Sequence, residues 1–278
     1  VKVCALMYVA GYLVRRVDEV RQTFWGFMKP VVVLSVMVLL LLRQPDFGAV
    51  VVIMSAVFTM LFLAGVRLTQ FLLVVGGSVG SAYLLVASSE YRMKRVMGYI
   101  DPWADQYSSG YQLVQSLIAF GRGEWTGVGL GNSIQKLFYL PEAHTDFVFA
   151  VLAEELGLVG NLLVIGLFVM LVVVAFGVGR RAELLGNLFN AYLVYGLATL
   201  IGLQALVNVG VASGLLPTKG LTLPFISYGG SSLIIMSVVL ALIMRADMEN
   251  QANSAAPQKK SSGGRKQKVA GARKEPVL

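Results

Sequence analysis

Apolar stretches close to twenty residues long recur along this chain, and no other feature limits its fold so severely. A helix needs about 20 predominantly apolar residues to cross the hydrocarbon core of a bilayer. Six runs reach or approach that length, at about 27–42, 48–65, 70–88, 146–178, 188–212 and 231–245. A seventh, 3–14, is too short to span and reads as a helix cut at its outer end; no basic segment precedes it and no cleavage site follows, so a signal peptide is not expected. Charged residues make up only 14% of the chain, against about a quarter in soluble domains. The pattern predicts an all-α polytopic membrane protein with seven membrane helices. Cys4 is the only cysteine and His144 the only histidine, which excludes disulfide scaffolds and Cys- or His-rich metal sites.

Loop charge sets the expected orientation. Residues 15–29 carry Arg15, Arg16, Arg21 and Lys29 against Asp18 and Glu19, the mark of a cytoplasmic loop. Alternation from there puts fifteen basic residues inside and seven outside, with Lys2 at the cut end. The net charge of +8 is therefore a topology signal, and no nucleic-acid partner is expected. The expected organisation is a membrane domain over 1–246, with an outer loop at about 89–145 carrying short interfacial helices, and a basic cytoplasmic tail over 247–278. Rich in Lys, Ser and Gly, that tail cannot bury a core and is expected to be disordered.

Chemistry is sought on the outer side. Tyr111, Val114, Leu117 and Ile118 oppose Gln112, Gln115 and Ser116, as in a helix lying in the interface. Gly127-Val128-Gly129-Leu130-Gly131-Asn132 is weakly suggestive of a phosphate turn, and Gly76-Gly77-Ser78-Val79-Gly80-Ser81 of close helix packing. The densest polar string is Tyr139-Leu140-Pro141-Glu142-Ala143-His144-Thr145-Asp146, directly before the longest span. Two readings stand open there: Thr145 and Asp146 as helix cap and first-turn charge, or Asp146 as a general base beside a cavity. Glu154 and Glu155 lie within the span, where carboxylates must pair or face a cavity. Helical geometry points them to different faces, with Gln204 or Asn208 as candidate partners for a structural lock. The connection 214–232 holds two prolines and several glycines, and Lys219 as a lone cation.

Five strings, Arg43-Gln44-Pro45-Asp46-Phe47-Gly48, Asp101-Pro102-Trp103-Ala104-Asp105, Gly129 through Asp146, Glu154-Glu155-Leu156-Gly157 and Leu216 through Ser232, resemble the bacterial SEDS proteins, the shape, elongation, division and sporulation glycosyltransferases. The strings around Asp146 and Lys219 are more similar to the division branch than to the elongation branch. The resemblance implies ten membrane helices, of which this chain matches the fourth to the tenth, and Lys2 then continues a Pro-Ser-Glu motif. It implies a multi-pass protein of the bacterial inner membrane at the division septum that polymerises lipid II into glycan strands on the outer face. In that reading Asp146 is the catalytic base. Lys2, Lys136 and Lys219 are candidates for holding pyrophosphate, and Glu142, His144 and Ser227 join them as substrate-binding positions. A divalent cation could assist the lysines; no metal-ligating residues are assigned. A class B penicillin-binding protein, the septal transpeptidase, is the implied partner, along with other division-complex membrane proteins. A lipid II flippase or transporter and a non-catalytic division scaffold are the competing classes. A transporter would place its polar site near the midplane between repeats, whereas the polar cluster here lies at the outer interface.

Overall fold

The computed structural model describes residues 1–44, 46–88, 93, 97–104, 106–108, 110–217 and 220–270, with backbone alone at 82, 85, 86, 138 and 256–270. Lys219 and Asp105, and the last eight residues of the tail, thus lie outside the described residues. Among those described there are helices and turns and no strand.

In chain order the helices are α1 (Lys2–Arg15), α2 (Val17–Gln22), α3 (Phe24–Arg43), α4 (Phe47–Leu63), α5 (Leu68–Ala87), α6 (Tyr111–Gly123), a π turn π1 (Gln135–Tyr139), α7 (Val148–Leu184), α8 (Leu188–Ala212) and α9 (Gly230–Ala270). Four of them, α3, α7, α8 and the Gly230–Ala255 stretch of α9, are long and apolar enough to cross a membrane; α4 and part of α5 are shorter apolar helices. This is the all-α polytopic membrane architecture.

Helix α8 is the axis of the bundle. Two thirds of its apolar window is buried, against 17–28% in the other three long helices, whose outward faces are left for lipid. Leu197, Leu200 and Ile201 of α8 are completely buried, as are Leu6 and Leu13 of α1 and Ile53, Met60 and Leu61 of α4, all in one cluster. Burying side chains of this size contributes about 1.5–3 kcal/mol each, which fixes α1, α4 and α8 together.

The two ends of the bundle differ in chemistry. At one end Arg21 donates to the Ala64 carbonyl at the close of α4 (2.7 Å), Arg16 and Lys29 pair with Glu19, and Asn190 donates to Glu249 of α9 (2.6 Å). At the other end, Asp46 caps α4 by accepting from Ala49 N–H (3.0 Å), and Leu221 packs so closely on Gly48 that a Cβ there would stand 2.9 Å from its Cγ. Gly48 thus joins the start of α4 to the connection between α8 and α9.

Three expectations change. Helix α9 does not stop at Ala246. Arg245 pairs with Glu249 one turn on, Asn250 is 2% exposed and donates to Val178 O of α7, and Asp247 faces Arg181. These anchors, with good helix formers between them, extend order past the expected boundary. In α6 the buried residues are Leu113, Val114, Ser116, Ala119 and Gly123. Ser116 was assigned to the polar side, but its hydroxyl satisfies the orphan Ala212 carbonyl at the end of α8 (2.6 Å). Finally, no described atom comes within 4 Å of a Cβ built on Gly76, Gly77 or Gly80. Helix α5 meets α4 instead through Phe71, against Phe58 and Phe62.

Candidate active site

Asp146 sits in a tight turn rather than on a helix. Glu142 takes a left-handed conformation (φ 56°), and its carbonyl accepts the N–H groups of Thr145, Asp146 and Phe147. Helix α7 starts two residues after Asp146, with Phe147 as N-cap and no side-chain cap. Thr145 spends its hydroxyl on the Glu142 carboxylate (2.7 Å). The capping reading of Thr145 therefore fails: Phe147, not Thr145, stands in the N-cap position, and the Thr145 hydroxyl turns back to Glu142. Among the described residues nothing donates a hydrogen bond to the Asp146 carboxylate. Burial, with the nearby Glu142 charge as the smaller cause, holds its pKa above the ordinary aspartate value. Oδ2 of Asp146 lies 2.9 Å from where a Cβ on Gly220 would stand, so the backbone of the connection between α8 and α9 forms one wall beside it.

The segments around Asp146 are held by their main chains. Ser227 donates to Thr145 O (2.5 Å) and accepts from Leu223 N (2.7 Å), and Tyr228 N donates to His144 O (2.9 Å). Ser227 is 1% exposed and so acts as a brace between two loops rather than as a contact surface for substrate. His144 and Glu142 are exposed beside Asp146. From α8, Asn208 donates to the carbonyls of Asp146 (2.7 Å) and Leu221 (2.6 Å), and Gln204 donates to Thr222 O (2.9 Å). Lys2 reaches the same cluster: its Nζ donates to Gln204 Oε1 (3.2 Å). Lys2, Glu142, His144, Ser227 and Asp146 are thus brought to one end of the bundle. Lys136 is engaged elsewhere, donating to Glu155 Oε1 (2.7 Å) and Gly131 O (2.6 Å).

Glu154 and Glu155 form a second acidic centre, and here the structure departs most from the helical expectation. Helix α7 breaks at Gly157 (φ 64°, ψ −164°), a conformation open to glycine. The amides of Leu158 and Val159 leave the helix ladder for Glu124 O and Trp125 O. In exchange, Val128 N and Gly129 N bond Glu154 O and Glu155 O. The glycine-rich string is therefore a backbone splint for the break rather than a phosphate turn: the amides of Gly127, Val128, Gly129 and Asn132 are already used. Beyond the splint, the Glu154 carboxylate accepts from Ser133 Oγ (2.5 Å), Ile134 N (3.2 Å) and Gln135 N (3.2 Å), and pairs with Arg122 (3.0 Å). Glu155 takes Lys136 and Ser133 N (3.4 Å). Both glutamates hold one segment, contrary to their expected divergence, because that segment folds across both of their faces. Gln204 and Asn208 are not their partners. The carboxamides' spacing of four on an apolar helix was the available signal that both face one way.

Among the described residues there is no group of three or more metal-ligating side chains.

A polytopic helical bundle that keeps a half-buried carboxylate and a tethered lysine at one end is the class of protein defined here. Residues 1–252 match the cell cycle protein family of FtsW, RodA and SpoVE, and the chain belongs to that family, the one its motifs resemble. It is 60% identical over 267 residues to the probable peptidoglycan glycosyltransferase FtsW of Hahella chejuensis, covering 95% of this chain and 67% of that protein. With the FtsW of Marinobacter nauticus it shares 56% identity over 250 residues, 90% of this chain and 63% of the relative. The chain thus spans about two thirds of the length of these relatives. Among solved structures it is similar to a chain of a peptidoglycan synthase complex, described for its coordination of polymerization and crosslinking (TM-score 0.69, 29% identity, 88% of this chain and 68% of that one). It is also similar to the rod shape determining protein RodA of Thermus thermophilus (TM-score 0.57, 28% identity, 88% and 65%).

Proposed function

We propose that this chain is the catalytic membrane core of a division-type peptidoglycan glycosyltransferase that polymerises lipid II. The observation that carries the reading is the contrast within the site: Asp146 alone among its acidic neighbours is half-buried and takes no hydrogen bond from any described residue, while Lys2 is held at the same end of the bundle.

The chemistry follows from that pairing. The 4-hydroxyl of an acceptor sugar attacks the anomeric carbon of a donor, forming the new glycosidic C–O bond. Its proton passes to the Asp146 carboxylate, whose raised pKa makes it a stronger base than a solvent-exposed aspartate. The bond from the anomeric carbon to the lipid pyrophosphate breaks, and its electron pair leaves with the pyrophosphate. A good leaving group needs cations more than protonation, and Lys2 supplies one. Lys219, next to Gly220 in sequence, is the candidate for a second. Lys136 is reassigned to bracing Glu155. A divalent cation, if used, would shield the same pyrophosphate.

The basic end of the bundle is assigned to the cytoplasm by the excess of Arg and Lys there, which puts Asp146 on the outer face, where lipid II awaits polymerisation, and the C-terminus inside. A class B penicillin-binding protein is the expected partner; the similar chain in a complex for polymerization and crosslinking supports this. The test is glycan-strand synthesis from purified lipid II by the full-length protein with that partner. Strands bearing many disaccharides are expected. A flippase or scaffold would make none, and that outcome would overturn the reading.

A further inference from the structure

Two buried carboxamides stand one turn apart on the same face of α8, and each is bonded across the candidate active site. Gln204 and Asn208 are both 1% exposed. Asn208 Nδ2 carries two hydrogens and meets two carbonyl oxygens, those of Asp146 and Leu221. The side chain has one usable orientation, since turned over it would set its own oxygen against both carbonyls. Gln204 divides its groups: Nε2 donates to Thr222 O, and Oε1 accepts from Lys2 Nζ. One helix therefore grips the peptide of Asp146, the loop opposite it and the ammonium of Lys2.

We propose that Gln204 and Asn208 are positioning residues that set the base against the cation, Asn208 by fixing the main chain of Asp146 and Gln204 by aiming Lys2. The proposal rests on the reading of Asp146 as the base. Its physical content is a spacing: residues four apart on a helix are separated by about 6 Å along the axis, and α8 is the most deeply packed element of the bundle, so that spacing is rigid. A displacement in which the acceptor hydroxyl held by the base and the departing pyrophosphate lie on opposite faces of one anomeric carbon needs such a fixed interval, because misplacement by about 1 Å can cost as much as 100-fold in rate. Nothing in simple packing calls for this pair. Two leucines would fill the same volume at lower desolvation cost, but would free Asp146, Leu221 and Lys2 from one another.

The two residues make separable predictions. Without Asn208, the Asp146 turn loses its tie to α8 and keeps only its bonds to the neighbouring loop, so it can relax toward solvent and its carboxyl loses burial, the larger cause of its raised pKa. The other charged group acting on Asp146 is Glu142, on the same turn; Lys2 of α1 is on Gln204, His144 is exposed two residues away, and Lys219 of the opposite connection lies outside the described residues. Asn208→Leu should therefore lower kcat about 10- to 100-fold and move the acidic limb of the kcat–pH profile to lower pH. Gln204→Leu should lower kcat to a similar degree and leave the acidic limb in place.

The experiment measures lipid II polymerisation by the full-length protein with its transpeptidase partner, per folded molecule, as a function of pH, beside wild type and Asp146→Asn. A purely structural role predicts less folded protein with normal kcat and an unmoved limb, and that result would overturn the proposal. If the leucine variants fail to fold, Asn208→Ala and Gln204→Ala, which leave room for a bridging water, are read by the same two criteria. Normal polymerisation by Asp146→Asn would remove the base reading itself. An inactive Asp146→Asn beside unaffected Asn208 and Gln204 variants would remove only the positioning role.

Discussion

Two carboxylate centres at one end of this molecule are built in opposite ways. Glu154 is fully buried, and its oxygens are occupied by a hydroxyl, two backbone amides and a guanidinium. Asp146 is half-buried, and no described residue donates to its oxygens. A carboxylate offers about four lone-pair sites, so Glu154 has none left for a substrate while Asp146 has them all. Saturation with protein donors marks a carboxylate that holds the fold together; an unsatisfied one in a sheltered place is available for chemistry.

The comparison breaks most directly at Asp146→Asn. Loss of a general base is expected to cost about 10²- to 10⁴-fold in polymerisation rate, with the protein still folded, membrane-inserted and partner-bound. Normal strand synthesis by this variant would erase the distinction between the two centres.

Gly220→Ala should come next. The added methyl would stand 2.9 Å from Asp146 Oδ2, pushing the carboxylate aside and lowering kcat about tenfold with little change in thermal stability. A rate equal to wild type would mean that the wall beside Asp146 is not part of the site.

Glu154→Gln should show the reverse pattern. A carboxamide cannot accept from all of Ser133, Ile134, Gln135 and Arg122, and leaving buried donors unmet costs about 1–3 kcal/mol, read as a lower melting temperature in detergent. Any residual activity per folded molecule should stay near wild type; a large fall in rate without loss of stability would move Glu154 into the chemistry.

The smallest effect is on stability at Asp146 itself. Its pKa is raised in the folded state. Its contribution to stability is then fully present below the unfolded pKa and lost as pH rises through the folded one. At neutral pH, Asp146→Asn should therefore melt no lower than wild type, and the gap between the two should close as the pH is taken down toward the ordinary aspartate range. A variant that melts lower at neutral pH would restore the capping role.

The spans were legible because membrane crossing imposes a length, and Arg and Lys mark its ends. Asp146 was legible as a polar residue where an apolar run begins. The break at Gly157 was not, since Glu154-Glu155-Leu156-Gly157 fits a helix by every local measure, and the bonds that pull it apart come from Glu124 to Gly129, about thirty positions earlier. Lys136 looked like a free cation for the same reason: its partner, Glu155, is close only after that loop has folded back. Asn208 was seen as polar and buried, but its true acceptors are carbonyls, which every residue has and no sequence distinguishes.

The splint across Gly157 also bears on how the chain is made. As one rod, the 37 residues of α7 would be about 55 Å long, well beyond a hydrocarbon layer of about 30 Å. The peptide groups freed at the break have their replacement partners in a segment that leaves the ribosome earlier. The loop that supplies them is thus synthesised before Gly157, and α7 can be completed on a template that is waiting for it. A chain in which that loop is delayed or cleaved during synthesis would deliver α7 to the bilayer with bare amides and carbonyls at Gly157, a species for quality-control proteases to remove.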